Sequence, residues 1–195
     1  VQDYKFIPEM IKQYYARHIS ESLARQIKEA VLGRFIDESA YDKVKLEKLL
    51  SATKLDASCE EMRKRIIDCV MPPFRLSLES ITESAEAASS YDLPVIVHNA
   101  AASMNVLEKM TRDNNYDNRR IIAAHSNHPS YTLDEAIAFA EELKRRGVTI
   151  DISTFDTLNT NNKEEIGYFM EFLQRGIADT ISTDYGGGNH CSILN

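Results

Sequence analysis

From about residue 66 the chain repeats one pattern: a short run of β-branched and aliphatic residues, a polar link, then an amphipathic helical stretch. The runs are "RIIDCVM", "LPVIVH", "RRIIAAH", "GVTIDIS" and "DTISTD". Alternation of this kind predicts βαβ units and a parallel sheet, because parallel neighbours need a crossover and a helix supplies one compactly. The helices between the runs are well punctuated. Thr132 and Glu135 have the spacing of a capping box, Leu133, Ala136, Ile137, Ala140 and Leu143 form an apolar stripe, and Gly147 ends the element. "NKEEIGYFMEFLQRG" repeats the arrangement with Gly176 as its stop. The expected strand tips fall near Met71, His98, His125, Ser153 and Asp184, roughly 30 residues apart, as in an eightfold β/α barrel. A doubly wound sheet can keep similar spacing, so rhythm alone does not separate the two.

Residues 1–66 have a different texture, with hardly any strand signal. "DYKFIPEMIKQYYARHI" and "ESLARQIKEAVLGRFI" carry apolar residues at spacings of three and four, and Ser58 with Glu61 is placed to cap "CEEMRKRII". The expected organisation is therefore α/β: a helical segment over 1–66, then a partial (β/α)8 TIM-type barrel over 67–195. A net charge of −7 argues against a nucleic-acid surface, which needs clustered Lys and Arg. Arg63-Lys64-Arg65 and Arg119-Arg120 read as solvated ends of elements. No apolar run approaches the roughly 18–20 residues that span a bilayer, and Val1 begins no signal-peptide pattern. Three cysteines, Cys59, Cys69 and Cys191, make no CxxC pair, so the expected compartment is a reducing cytoplasm.

The strand tips carry the chemistry. Side chains alternate across a strand, so parity assigns each to a face. Val95 and Val97 oppose Ile96 and His98; Ile122 and Ala124 oppose Ile121, Ala123 and His125. Val148, Ile150 and Ile152 oppose Thr149, Asp151 and Ser153; Ile181 and Thr183 oppose Thr180, Ser182 and Asp184. With the more aliphatic set of each strand on the helices, His98, His125 and Asp184 point inward at the C-terminal rim, where β/α barrels place catalytic residues. Two imidazoles and a carboxylate on neighbouring strands suit a divalent metal, Zn²⁺ first, as one or two ions with a position left for water. Such an ion lowers the pKa of its water to about 7. Asp184 is then the group that takes the proton and passes it to a leaving amine. Gly186 and Gly187 leave room for a small-molecule substrate, and His128 in "HSNHPS" is a candidate to touch substrate or ion. Asp151 faces the same way and is placed to orient a ligand histidine.

Each residue also has a plainer reading. A histidine at a strand end is often hydrogen-bonded structure, Asp184 before glycines can make an Asx-turn, and "GGG" can be a phosphate loop or a flexible connection. The joint pattern at three tips favours metal.

These tips resemble the C-terminal part of the amidohydrolase superfamily, metal-dependent hydrolases and deaminases built on a (β/α)8 barrel. "LPVIVHNAA", "RRIIAAHSNH", "GVTIDISTFD" and "TISTDYGGG" look like strands five to eight. "VTIDIS" with "STDYGGG" is most similar to the isoaspartyl-dipeptidase, dihydroorotase and hydantoinase branch. "MPPFRLSLESITESAEAASSYDLPVIVH" is similar to the segment between strands four and five of cytosine and guanine deaminases. The resemblance implies that His98 and His125 bind metal from strands five and six, and that Asp184 binds metal and moves protons. It implies hydrolysis of an amide or cyclic amide, with nucleobase-type deamination or a phosphotriesterase- or lactonase-like activity as alternatives. The family's His-x-His of strand one has no counterpart, and neither Lys54 nor Lys64 suits the bridging lysine of two-metal members. About five expected strands against eight makes the chain read as a fragment, with residues 1–66 an insertion over the rim. Its expected partner is the remainder of the barrel or a second copy, and a non-catalytic partial barrel completed by another chain is the alternative from a different class. By itself the chain is expected to bind metal weakly or not at all.

Overall fold

Seven α-helices and four short strands form among the residues that the computed structural model describes, 6–113, 116–154 and 163–183. The chain divides into two units, residues 1–80 and 81–195.

In the first unit, α1 (Phe6–Tyr15), α2 (Glu21–Leu32) and α3 (Lys43–Thr53) precede the start of α4 (Cys59–Ser90). Their starts follow from capping side chains that satisfy the N–H groups a helix leaves unpaired. Ser20 Oγ accepts from the Leu23 amide at 3.2 Å, and Asp42 Oδ1 accepts from the Lys45 amide at 2.9 Å. Ile7 and Ile11 of α1, Ala24, Ile27 and Val31 of α2, and Leu46 of α3 are each 0% exposed, which makes this packing the unit's core.

The expected strand "RIIDCVM", with its tip at Met71, is helical and lies inside α4. Ser58 Oγ accepts from the Glu61 amide at 3.1 Å and opens the helix. Met62, Ile66, Val70 and Phe74 then recur at every fourth position, and all four are buried. That periodicity places one stripe on the core, and tertiary burial outweighs the β-preference of Ile66, Ile67 and Val70. Pro72 and Pro73 lie within α4, where they remove two donors from its ladder.

In the second unit the other four runs are strands: β1 (Val95–His98), β2 (Ile121–Ala124), β3 (Thr149–Ser153) and β4 (Thr180–Ser182). Helices α5 (Met104–Arg112), α6 (Leu133–Arg145) and α7 (Lys163–Gln174) alternate with them. The capping box of α6 is formed both ways, Thr132 N to Glu135 Oε2 at 2.8 Å and Glu135 N to Thr132 Oγ1 at 3.4 Å. Pairing is parallel throughout, in the order β1-β2-β3-β4. Val97 lies opposite Ala123 and Ala123 opposite Ile150, so the three share a face.

A sheet whose strands follow in chain order steps the same way at each crossover, and right-handed crossovers then put the helices on one face. The burial agrees. Val97, Ile121, Ala123, Ile150 and Ile152 are at most 3% exposed, whereas Ile96 on the other face is 68% exposed. Leu107 of α5, Leu143 of α6 and Phe172 of α7 are each 0% exposed. Burial of side chains of this size stabilises by about 1.5–3 kcal/mol each.

Candidate functional site

Strand β2 ends at Ala124, and the next residue leaves the sheet by an unusual route. His125 has φ +42°, a left-handed conformation that only a few per cent of non-glycine residues adopt, histidine among the more tolerant. This corrects the parity argument for β2. Ile121 and Ala123 are on the covered face with Val97, so an extended His125 would follow them under the helices. The left-handed turn re-aims it.

The ring of His125 instead meets the ring of His98, with centroids 4.7 Å apart and planes inclined by 39°. His98 Nδ1 and His125 Nε2 are the atoms in direct contact. Two N–H groups cannot meet head-on, so at least one of these nitrogens presents a lone pair. His98 lies opposite Ala124 in the register, on the open face, and is exposed; His125 is 7% exposed. The site is thus one half-open imidazole and one buried imidazole at the C-terminal tips of adjacent parallel strands.

Asp151 of β3 is 6% exposed and accepts three hydrogen bonds. Its Oδ2 accepts from the His125 amide at 3.1 Å and from Ser182 Oγ at 2.8 Å; its Oδ1 accepts from Thr180 Oγ1 at 2.9 Å. One carboxylate therefore ties the β2 tip to β4 across the intervening strand.

Side chains extend the sheet beyond the point where β2 turns away. Asn127 pairs with the Ser153 main chain in both directions, Nδ2 to O at 2.9 Å and N to Oδ1 at 2.8 Å. Asn99 donates from its amide nitrogen to Ala124 O at 3.0 Å and from Nδ2 to Ser126 Oγ at 3.0 Å. Tyr131 donates from its hydroxyl to Asn99 Oδ1 at 3.0 Å, and burial pushes that hydroxyl's pKa well above its ordinary value. Asn99, Ser126, Asn127 and Tyr131 went unnoticed in the sequence, where the cluster of Ser and Asn after each run reads only as loop. Their buried amides are the available signal, since buried polar groups are hydrogen-bonded in place.

His128 lies beside the pair, its ring centroid 5.3 Å from that of His125. Its Nδ1 accepts from the Ser130 amide at 3.0 Å and lies 2.8 Å from Ser130 Oγ. That hydroxyl in turn accepts from the Ala101 amide at 2.9 Å. Nδ1 thus already accepts a main-chain N–H in this arrangement.

The remaining expected site residues, Asp184, Gly186 and Gly187, lie outside the described residues, as do His190 and Cys191. Among the described residues no group of three His, Cys, Asp or Glu side chains is placed to hold a metal ion. His98 and His125 bring together two imidazole nitrogens, donors of the kind that Zn²⁺ takes. Nitrogens in direct contact leave no room for an ion between them, so binding one would require the rings to part, and a third ligand has to come from elsewhere. No described helix is long and apolar enough to cross a membrane. No protein-family model, no curated protein and no solved structure matches the chain.

Proposed function

We propose that the chain is a metal-dependent hydrolase of the amidohydrolase type, on part of a β/α barrel, cleaving the C–N bond of an amide or cyclic amide. One observation carries the reading: His98 Nδ1 and His125 Nε2 meet at the C-terminal tips of neighbouring parallel strands. Parallel β/α architectures hold catalytic groups at that end, and paired imidazole nitrogens are a common start to a zinc site. The strand order and the covered outer face support a barrel-like course for the sheet.

In this reading His98, His125 and Asp184 would hold one divalent ion, Zn²⁺ by preference. Such an ion would supply water activated at neutral pH. Asp184 would take up a proton at its carboxylate as water adds to the carbonyl carbon and give that proton to the nitrogen as the C–N bond breaks, so that the amine leaves neutral. His128 and the backbone at Gly186 and Gly187 contact the small-molecule substrate. The buried position of His125 keeps one side of the pair dry, which strengthens any charge interaction made there.

Zinc titration of the metal-free chain, followed by metal analysis, tests the reading. One equivalent is expected to bind, with His98→Ala, His125→Ala and Asp184→Asn each lowering the affinity at least tenfold. No binding by the unaltered chain, or binding that survives both histidine substitutions, contradicts it.

A second reading rests on the open face. Ile96 is 68% exposed there, and a parallel sheet is ordinarily covered on both faces. A partial barrel without catalytic activity, completed by another chain, accounts for that exposure. It predicts no zinc binding by the isolated chain, so the same titration separates the two.

A further inference from the structure

We infer that Asp151 is a positioning residue that acts on His125 through its main chain, holding the left-handed turn that swings the imidazole onto His98. A histidine ligand is usually oriented by a partner on its second ring nitrogen. Here the partner grips the amide. His125 at φ +42° is in a conformation that costs free energy and persists where the surroundings over-determine it. Asp151 Oδ2 is the acceptor for the His125 amide, and the next amide, Ser126 N, donates to the Asp151 main-chain oxygen at 2.7 Å. Two consecutive N–H groups of the turn are thus bound to one residue. That residue is itself held, because Thr180 Oγ1 and Ser182 Oγ of β4 also donate to its carboxylate. Released from this grip, the chain after Ala124 would continue extended, and parity would carry the ring to the covered face, away from His98. The strand order matters too: only a residue on β3 can reach both the β2 tip and β4. The zinc consequence rests on the hydrolase reading; the geometric consequence does not.

The test uses the 195-residue chain in metal-free form, by nuclear magnetic resonance. The unaltered chain is expected to show a proton–proton contact between the His98 and His125 rings and slow exchange of the His125 amide. Asp151→Ala should abolish the ring contact and speed that exchange at least tenfold. Asp151→Asn, whose side-chain oxygen still accepts from the amide, should retain the contact. In the zinc arm Asp151→Ala should lower affinity about 10–100-fold, the range for loss of an orienting partner. A folded Asp151→Ala chain with ring contact and affinity unchanged overturns the inference. If Asp151→Ala fails to fold, Asp151→Val, better suited to a strand, takes its place. A His125 amide that exchanges as fast as an open one in the unaltered chain is also fatal. A chain that binds no zinc in any form, yet loses the ring contact on Asp151→Ala, overturns the hydrolase reading and supports this inference.

Discussion

The backbone of a single residue decides whether two strand tips converge, and positive φ marks several such decisions in this chain. At His125 the cost of φ +42° is offset by the hydrogen bonds to Asp151. At Gly33 the same half of conformational space ends α2, with φ +63°, and a Cβ built there would lie 2.9 Å from the Ala40 Cβ. Gly176 after α7 has nearly the same φ, +64°, and open space around it. Gly176→Ala is therefore expected to cost only the backbone term, about 1–2 kcal/mol, and Gly33→Ala to cost more because Ala40 must also move. Thermal unfolding of the two variants checks the ranking; equal midpoints would mean the Ala40 contact relaxes freely. Parity on β1 and β3 was legible from the residues, and Asp151 does face away from Ile150. On β2 it was not, since alternation presumes extended backbone and His125 leaves that conformation. The "HSN" after the run, rich in residues that tolerate left-handed backbone, is the only trace in the sequence.

At the level of elements, capping is readable in the sequence at Ser58 and Thr132, where the Glu three residues on completes the pattern, and is not at Ser20 and Asp42, which lack it. In α4 a β-branched run lies inside a longer fourfold repeat, so the run taken alone has the pattern of a strand while the longer period is helical. A contact at the start of α4 gives this unit a pH signature. Glu61 Oε1 accepts from Arg65 Nε and from Tyr15 Oη, both at 3.0 Å. Arg65 and then Tyr15 hold the Glu61 carboxyl below its ordinary value of 4.5. A depressed folded-state pKa stabilises fully above the unfolded value and loses its effect as pH falls through the folded value. Glu61→Gln should accordingly lower the unfolding temperature at neutral pH, by a modest amount for a pair this exposed. The difference from the unaltered chain should shrink as pH drops below about 4.5. A difference independent of pH would show that the hydrogen bonds matter and the charge does not.

For the molecule as a whole, the alternation of apolar runs and amphipathic helices was sufficient to recover four parallel strands with three helices between them. What alternation does not encode is how the sheet closes. Strand order is not written in that alternation, and the open face around Ile96 and His98 has no counterpart in the pattern, because its residues read as an ordinary inner face. The proposed function turns on His98 and His125 sharing a cation. X-ray absorption at the zinc edge of the loaded chain measures this most directly. The account predicts two imidazole nitrogens at about 2.0–2.1 Å from the metal, falling to one in His98→Ala. Zinc bound without imidazole, or with a ligand set that His98→Ala leaves unchanged, would contradict it.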